Sequence, residues 1–318
     1  MKRMTRRLPL VVLAFALLAA SCSGNPEGPS SGVNVSYSAQ MASSWHWVGD
    51  PQRVEIGLLG SGGEGTRVVT GGSIELSFDF LGGGSDDPVA GPSATARFIP
   101  VPGSDPGGDA PALSTGNGVY EADGVVFDQA GVWRVSVTAQ IDGVGRQLEA
   151  SFPVTDTSPI PAPGDPAPRT ENLTIDSKVR AGAIDSRADG GGDVPDPDLH
   201  RWTVADAIDE GRPALVLIGT PAYCSSRFCG PEVDELQRLS EAYPDRAVYI
   251  HIEVWKNYNA QPQVVNQAAA DWLLRDDSMT EPWLYLIGAD GIVVDRWGSL
   301  FDPADVEAAL EALPSMDA

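Results

Sequence analysis

The sequence predicts a multidomain chain, an all-β sandwich followed by an α/β region, on three observations. From residue 33 to 155, short runs alternate apolar and polar side chains between Gly, Asp, Pro and Ser turns; Ile74, Leu76, Phe78 and Phe80 alternate with Glu75, Ser77 and Asp79, the period of a half-buried strand. At 156–162 the composition breaks into Asp-Thr-Ser-Pro-Ile-Pro-Ala, and prolines at that density favour an extended linker. From His200 onward, continuous apolar runs alternate with helical periodicity, as strands buried on both faces do between helices.

The expected β-strands are 53–59, 73–80, 94–100, 118–120, 132–141 and 147–154, and several short strands at this spacing suggest a sandwich. No cluster of His, Cys or paired carboxylates stands out here, so this region reads as a spacer or a protein-binding module. Residues 188–197, rich in Gly, Asp and Pro, read as a surface loop. A short helix at 203–210 ends at Gly211, and Ala214–Ile218 is a continuous apolar strand. Pro231 suits the first turn of a helix, opening 232–243 with Val233, Leu236 and Leu239 on one face. A buried strand at 247–254, a helix at 264–274, a hairpin of 283–287 with 292–297 and a helix at 303–313 complete the order.

Composition narrows the function classes. The chain has 318 residues, 42% of them hydrophobic, enough for sizeable cores. Lys and Arg number 21 against 44 Asp and Glu, a net charge of −23, so the surface repels a phosphate backbone and nucleic acid is not an expected partner. Residues 1–21 place Lys2, Arg3, Arg6 and Arg7 before an apolar run from Leu8 to Ala20, the pattern of an export signal too short for a permanent span. The run ends Leu18-Ala19-Ala20-Ser21-Cys22, which resembles a bacterial lipobox and makes Cys22 the expected lipidation site. Residues 22–32 read as a flexible tether. The expected location is the extracytoplasmic side of the cell membrane.

Of three cysteines, two lie close together in Tyr223-Cys224-Ser225-Ser226-Arg227-Phe228-Cys229-Gly230-Pro231, between a buried strand and a helix. A helix N-terminus favours thiolate over thiol, and thiolate is the form that attacks disulfides. Arg227 pushes the same way and Glu232 opposes it. A passive disulfide here would close a six-residue loop and stabilise by only about 2 kcal/mol.

Two resemblances follow from these residues. Residues 126–135 resemble the late strand of immunoglobulin-like (Ig-like) domains, where an aromatic follows a Gly turn. Residues 163–318 resemble the thioredoxin-like superfamily, nearest its membrane-anchored thiol-disulfide oxidoreductases, through the cysteine loop, Gly164-Asp165-Pro166-Ala167-Pro168 and Glu281-Pro282-Trp283. The resemblance implies an N-terminal Ig-like sandwich at 33–155 and an α/β thioredoxin-like domain at 163–318. It also implies that Cys224 and Cys229 are catalytic, and that Pro282, cis and flanked by Glu281, shapes a substrate groove with Tyr223. Protein thiols and disulfides outside the cytoplasm are the implied partners, and the chemistry calls for no cofactor. The family spacing is Cys-x-x-Cys, whereas this chain has Cys-x4-Cys. Aligned from the strand, Cys224 is the nucleophile; aligned on Cys-Gly-Pro, Cys229 comes first and Glu232 stands in the second position. The other classes are a binding module with a structural disulfide and a Sco-like copper-delivery protein. In the latter Cys224, Cys229 and His251 would be the soft ligands. His251 also shares a strand face with Glu253, which suits a buried hydrogen bond between them, while His46 and His200 read as surface residues.

Overall fold

In the computed structural model, which describes residues 35–63, 65–82 and 87–316, the alternating first half forms ten strands. They are β1 (Ser36–Met41), β2 (His46–Trp47), β3 (Gln52–Gly62), β4 (Gly65–Thr70), β5 (Ser73–Gly82), β6 (Val89–Pro100), β7 (Ala112–Ser114), β8 (Gly118–Val125), β9 (Gly131–Ile141) and β10 (Val144–Thr155). The signal segment, Cys22 and the tether lie outside the described residues. The ten strands share one sheet in the order β2-β10-β9-β5-β6-β8-β3-β4-β7, with β1 paired to β3. It curls into a half-barrel around Val54, Ile56, Phe78, Tyr120, Trp133 and Val135.

The second half carries a four-stranded sheet in the order β12-β11-β15-β16. These are β11 (Ala214–Gly219), β12 (Val248–Glu253), β15 (Trp283–Ile287) and β16 (Val293–Gly298), while β13 (Trp255–Asn257) and β14 (Val264–Val265) form a separate ribbon. β12 runs parallel to β11; β15 and β16 run antiparallel to their neighbours. Four α-helices accompany them: α1 (Val204–Asp209), α2 (Cys229–Ala242), α3 (Gln267–Leu273) and α4 (Pro303–Ala312). β11 explains its apolar run: Ala214, Val216 and Ile218 face one core, Leu215 and Leu217 the other. Residues 156–162 pack here too, with Ile160 buried and Arg296 Nη1 donating to Ser158 Oγ and the Ile160 carbonyl at 3.1 Å each. No helix among the described residues is long and apolar enough to cross a membrane.

The expected fold class, an Ig-like sandwich followed by an α/β thioredoxin-like domain, is corrected by this architecture. The molecule is mostly β, 42% strand against 17% helix, with a curled half-barrel sheet and only four α-helices among the described residues. The physical reason for the first error is pairing. Alternation fixes which face of a strand is buried, not which strand lies beside it. β6 is twelve residues long and pairs with β5 over one stretch and with β8 over another, so two expected layers become one ladder. In the second half, α1 and α3 span only six and seven residues, and residues 156–203 contribute irregular chain with three short 3₁₀ turns.

Residues Val35–Ala318 cluster as one unit. Phe228 and Leu300 share a core with Ile99, Val101 and Val119 of the large sheet and the chain after it. Arg97 pairs with Asp302 and Asp305, and Arg53 with Asp295 at 2.9 Å, so strands of the large sheet hold the α4 N-terminus and β16.

Candidate functional site

β11 ends at Gly219, the chain turns through 221–228, and α2 begins at Cys229. Cys224 and Cys229 form a disulfide with Cα atoms 6.1 Å apart. Cys229 is fully buried at the helix start, where unsatisfied N–H groups and the helix dipole favour negative charge on sulfur. Cys224 is half-exposed, and its Sγ lies 3.1 Å from Ser226 Oγ. Arg227 is exposed and takes a left-handed conformation, φ 66°, which turns the loop so that Phe228 enters the core.

The Glu281–Pro282 peptide is cis. Gly219 lets Pro282 approach the cysteine helix: a Cβ at position 219 would lie 3.3 Å from Pro282 Cβ and 3.4 Å from Cys229 Cβ. Burial raises the Glu281 carboxyl to about 8, the neighbouring Glu253 adds to the rise, and the Thr220 backbone N–H opposes it. Glu232, in the first turn of α2, is buried and pushed well above the usual carboxylate range by desolvation; its Oε1 accepts from the Phe301 N–H at 3.3 Å. Glu55 on β3 is raised by burial and then by Glu121 and Glu232. Burial thus disfavours charge on these carboxyls, which weakens their opposition to the helix dipole.

A groove of about 1160 Å³ opens between the cysteine loop and the large sheet. Arg227, Glu281 and Pro282 line one wall; Gly57, Thr66 and Asn117 line the other. Tyr223 is held apart from it. Its ring stacks on Tyr258 at 4.0 Å, and its hydroxyl bonds to Asp189 and accepts from Asn259.

Beneath the loop lies a buried polar cluster that the sequence reading missed. His200 and His46, expected at the surface, are 0% and 3% exposed. His46 packs edge-on against Phe127 and Phe152, and burial lowers its pKa to about 4. His200 and His251 face Asp185, a residue with no sequence signal of its own because irregular chain carries it there. His251 and Glu253 have separate partners: His251 Nε2 donates to the Gly219 carbonyl at 3.1 Å, and Glu253 Oε2 accepts from Ser186 N at 2.8 Å. Ser186 Oγ in turn meets Thr220 Oγ1 at 3.2 Å and accepts from Ala222 N at 3.1 Å, so the network reaches the base of the cysteine loop. Burial alone would raise the Asp185 carboxyl; the Arg187 guanidinium, hydrogen-bonded to it, is among the groups that hold it well below the usual range.

No family model and no curated protein matches the chain. Among solved structures, similarity is found to MtrC from Shewanella baltica, at 10% identity and TM-score 0.23, over 42% of this chain and 24% of that one. A second is a beta-glucosidase from Listeria innocua, at 9% identity and TM-score 0.20, over 38% of this chain and 16% of that one. The chain thus spans a quarter or less of either protein, and similarity at this level carries no functional argument.

Proposed function

We propose that the protein exchanges thiols and disulfides through Cys224 and Cys229, acting on protein disulfides outside the cytoplasm. The observation that carries this reading is the asymmetry of the pair, a half-exposed sulfur joined to one buried at a helix N-terminus beside Pro282. In the reduced protein, Cys224 thiolate attacks one sulfur of a substrate disulfide. A mixed S–S bond forms and the other substrate sulfur leaves as thiolate. Cys229 thiolate then attacks Cys224 Sγ, closing the Cys224–Cys229 disulfide and releasing the second substrate thiolate. Two electrons pass from the protein to the substrate, and the reverse sequence oxidises a substrate dithiol. Leaving-group acidity is helped by the helix start, which stabilises sulfur as thiolate. The local resemblance of the cysteine loop and the Glu281-Pro282 segment to extracytoplasmic oxidoreductases supports the same reading, as does the lipobox-like run ending at Cys22.

The test is a resolving-cysteine variant. Reduced Cys229→Ala mixed with oxidised glutathione and a disulfide-bonded peptide should accumulate mixed disulfides through Cys224. These should be released by dithiothreitol and absent from Cys224→Ala/Cys229→Ala. Failure of Cys224 to form any adduct would overturn the reading.

A further inference from the structure

We propose that Asp185, His200 and His251 form a binding site for a divalent metal ion of the zinc class, pinning the irregular segment 185–200 to strand β12. The three donor atoms lie within 4.8 Å of one another and all three side chains are buried. Asp185 Oδ2 is 3.6 Å from His200 Nε2 and 3.5 Å from His251 Nδ1. These distances are long for N–H···O hydrogen bonds, which fall at about 2.7–3.2 Å. They match ligand atoms each about 2.1 Å from a tetrahedral ion, which stand about 3.4 Å apart.

Tautomer chemistry points the same way. A carbonyl only accepts, so the contact with the Gly219 oxygen puts the proton of neutral His251 on Nε2. With a single proton on the ring, Nδ1 turns a bare lone pair toward the Asp185 carboxylate. Two lone pairs facing each other in a buried site repel; a cation between them is held by both. The Nε2–H···O=C bond also orients the imidazole in the way that metal-bound histidines are oriented. Neither ring nitrogen of His200 has a hydrogen-bond partner among the described residues.

Charge leaves room for a divalent ion. Arg187 grips Asp185 with Nη2 at 2.7 Å from Oδ2 and Nε at 3.1 Å from Oδ1, fixing the carboxylate. The same guanidinium meets Asp196 at 2.8 Å and Asp234 at 3.4 Å, so one positive charge stands against three carboxylates. Two histidines and one carboxylate leave a fourth position of a tetrahedral ion unfilled by these residues.

The experiment uses the full-length chain with its disulfide closed, stripped by chelator and re-dialysed against zinc, cobalt(II) or magnesium. Expected are one zinc per chain, a tetrahedral cobalt(II) visible spectrum, and a Tm that rises with the logarithm of zinc but not magnesium concentration. Binding should survive in Cys224→Ser/Cys229→Ser and be lost in His200→Ala. If His200→Ala does not fold, nitrogen-15 spectra of the imidazoles in stripped and zinc-loaded wild type decide the matter. Zinc-dependent shifts of the His200 Nε2 and His251 Nδ1 resonances support the site. No zinc retained by the wild type, zinc lost with the cysteines, or a doubly protonated His251 unmoved by zinc would overturn it. Adducts through Cys224 do not depend on the ion, so this proposal and the redox reading fail separately.

Discussion

Glu281 gives the cysteine loop its own pH dependence. Its carboxyl ionises near 8 in the fold, against an ordinary 4.5, because burial disfavours the charge and Glu253 lies close. Since the folded value is raised, the stability this group contributes is fully present below pH 4.5 and is lost as pH rises from 4.5 through 8. The loss cannot exceed about 1.4 kcal/mol per pH unit for one proton. Glu281→Gln should therefore flatten the fall in Tm across that window, and an unchanged slope would count against the assignment. The same group lines the groove beside the cysteine loop. Below pH 8 it is neutral; above, it repels thiolate. For a thiol that titrates above pH 8, Glu281→Gln should lower the apparent Cys224 pKa by up to about one unit, the scale of one near like charge; a thiol that titrates below 8 should not move. Thiol titration of both reduced proteins checks this, and an unshifted value for a thiol that titrates above 8 would mean the carboxyl is not felt at the sulfur.

At the scale of elements, α2 is held by its first residues and by the large sheet. Phe228, just before Cys229, packs with Ile99, Val101, Val119 and Leu300. Phe228→Ala should cost about 3–5 kcal/mol, as buried Phe truncations do, and should speed disulfide reduction by loosening the loop. Chemical denaturation with reduction kinetics checks both; a stable variant reduced at the wild-type rate would remove the anchor. Several strands and helices are legible because each rests on local periodicity and caps, whereas β1, β2, β4 and β7 are not foreseen and Val264–Val265, expected within a helix, form β14. Ala214–Gly219 and Pro303–Ala312 fall within a residue of where the sequence puts them. Pairing was not legible, because the partners of β6 depend on edges that no local pattern encodes. The same division holds at the site. Cys224, Cys229 and Pro282 announce themselves by residue type, whereas Asp185 and His200 are brought to His251 only by tertiary folding.

For the whole molecule, the β region is more than a spacer. It lines one wall of the groove beside the cysteines and shares a core with the residue that precedes Cys229. The acidic surface, −23 overall, leaves any membrane attachment to acyl chains rather than to lipid charge. Cys22→Ala should accordingly release the protein from the membrane fraction or leave its signal uncleaved; correctly processed variant recovered in the membrane would contradict lipidation. The central claim is that the disulfide is exchanged in use rather than kept as a staple. Equilibration of the Cys224–Cys229 pair with glutathione buffers, read by thiol alkylation, tests it most directly. A working pair should settle between about −120 and −270 mV, the range of exchange proteins, whereas a potential below about −300 mV, that of structural disulfides, would contradict the account.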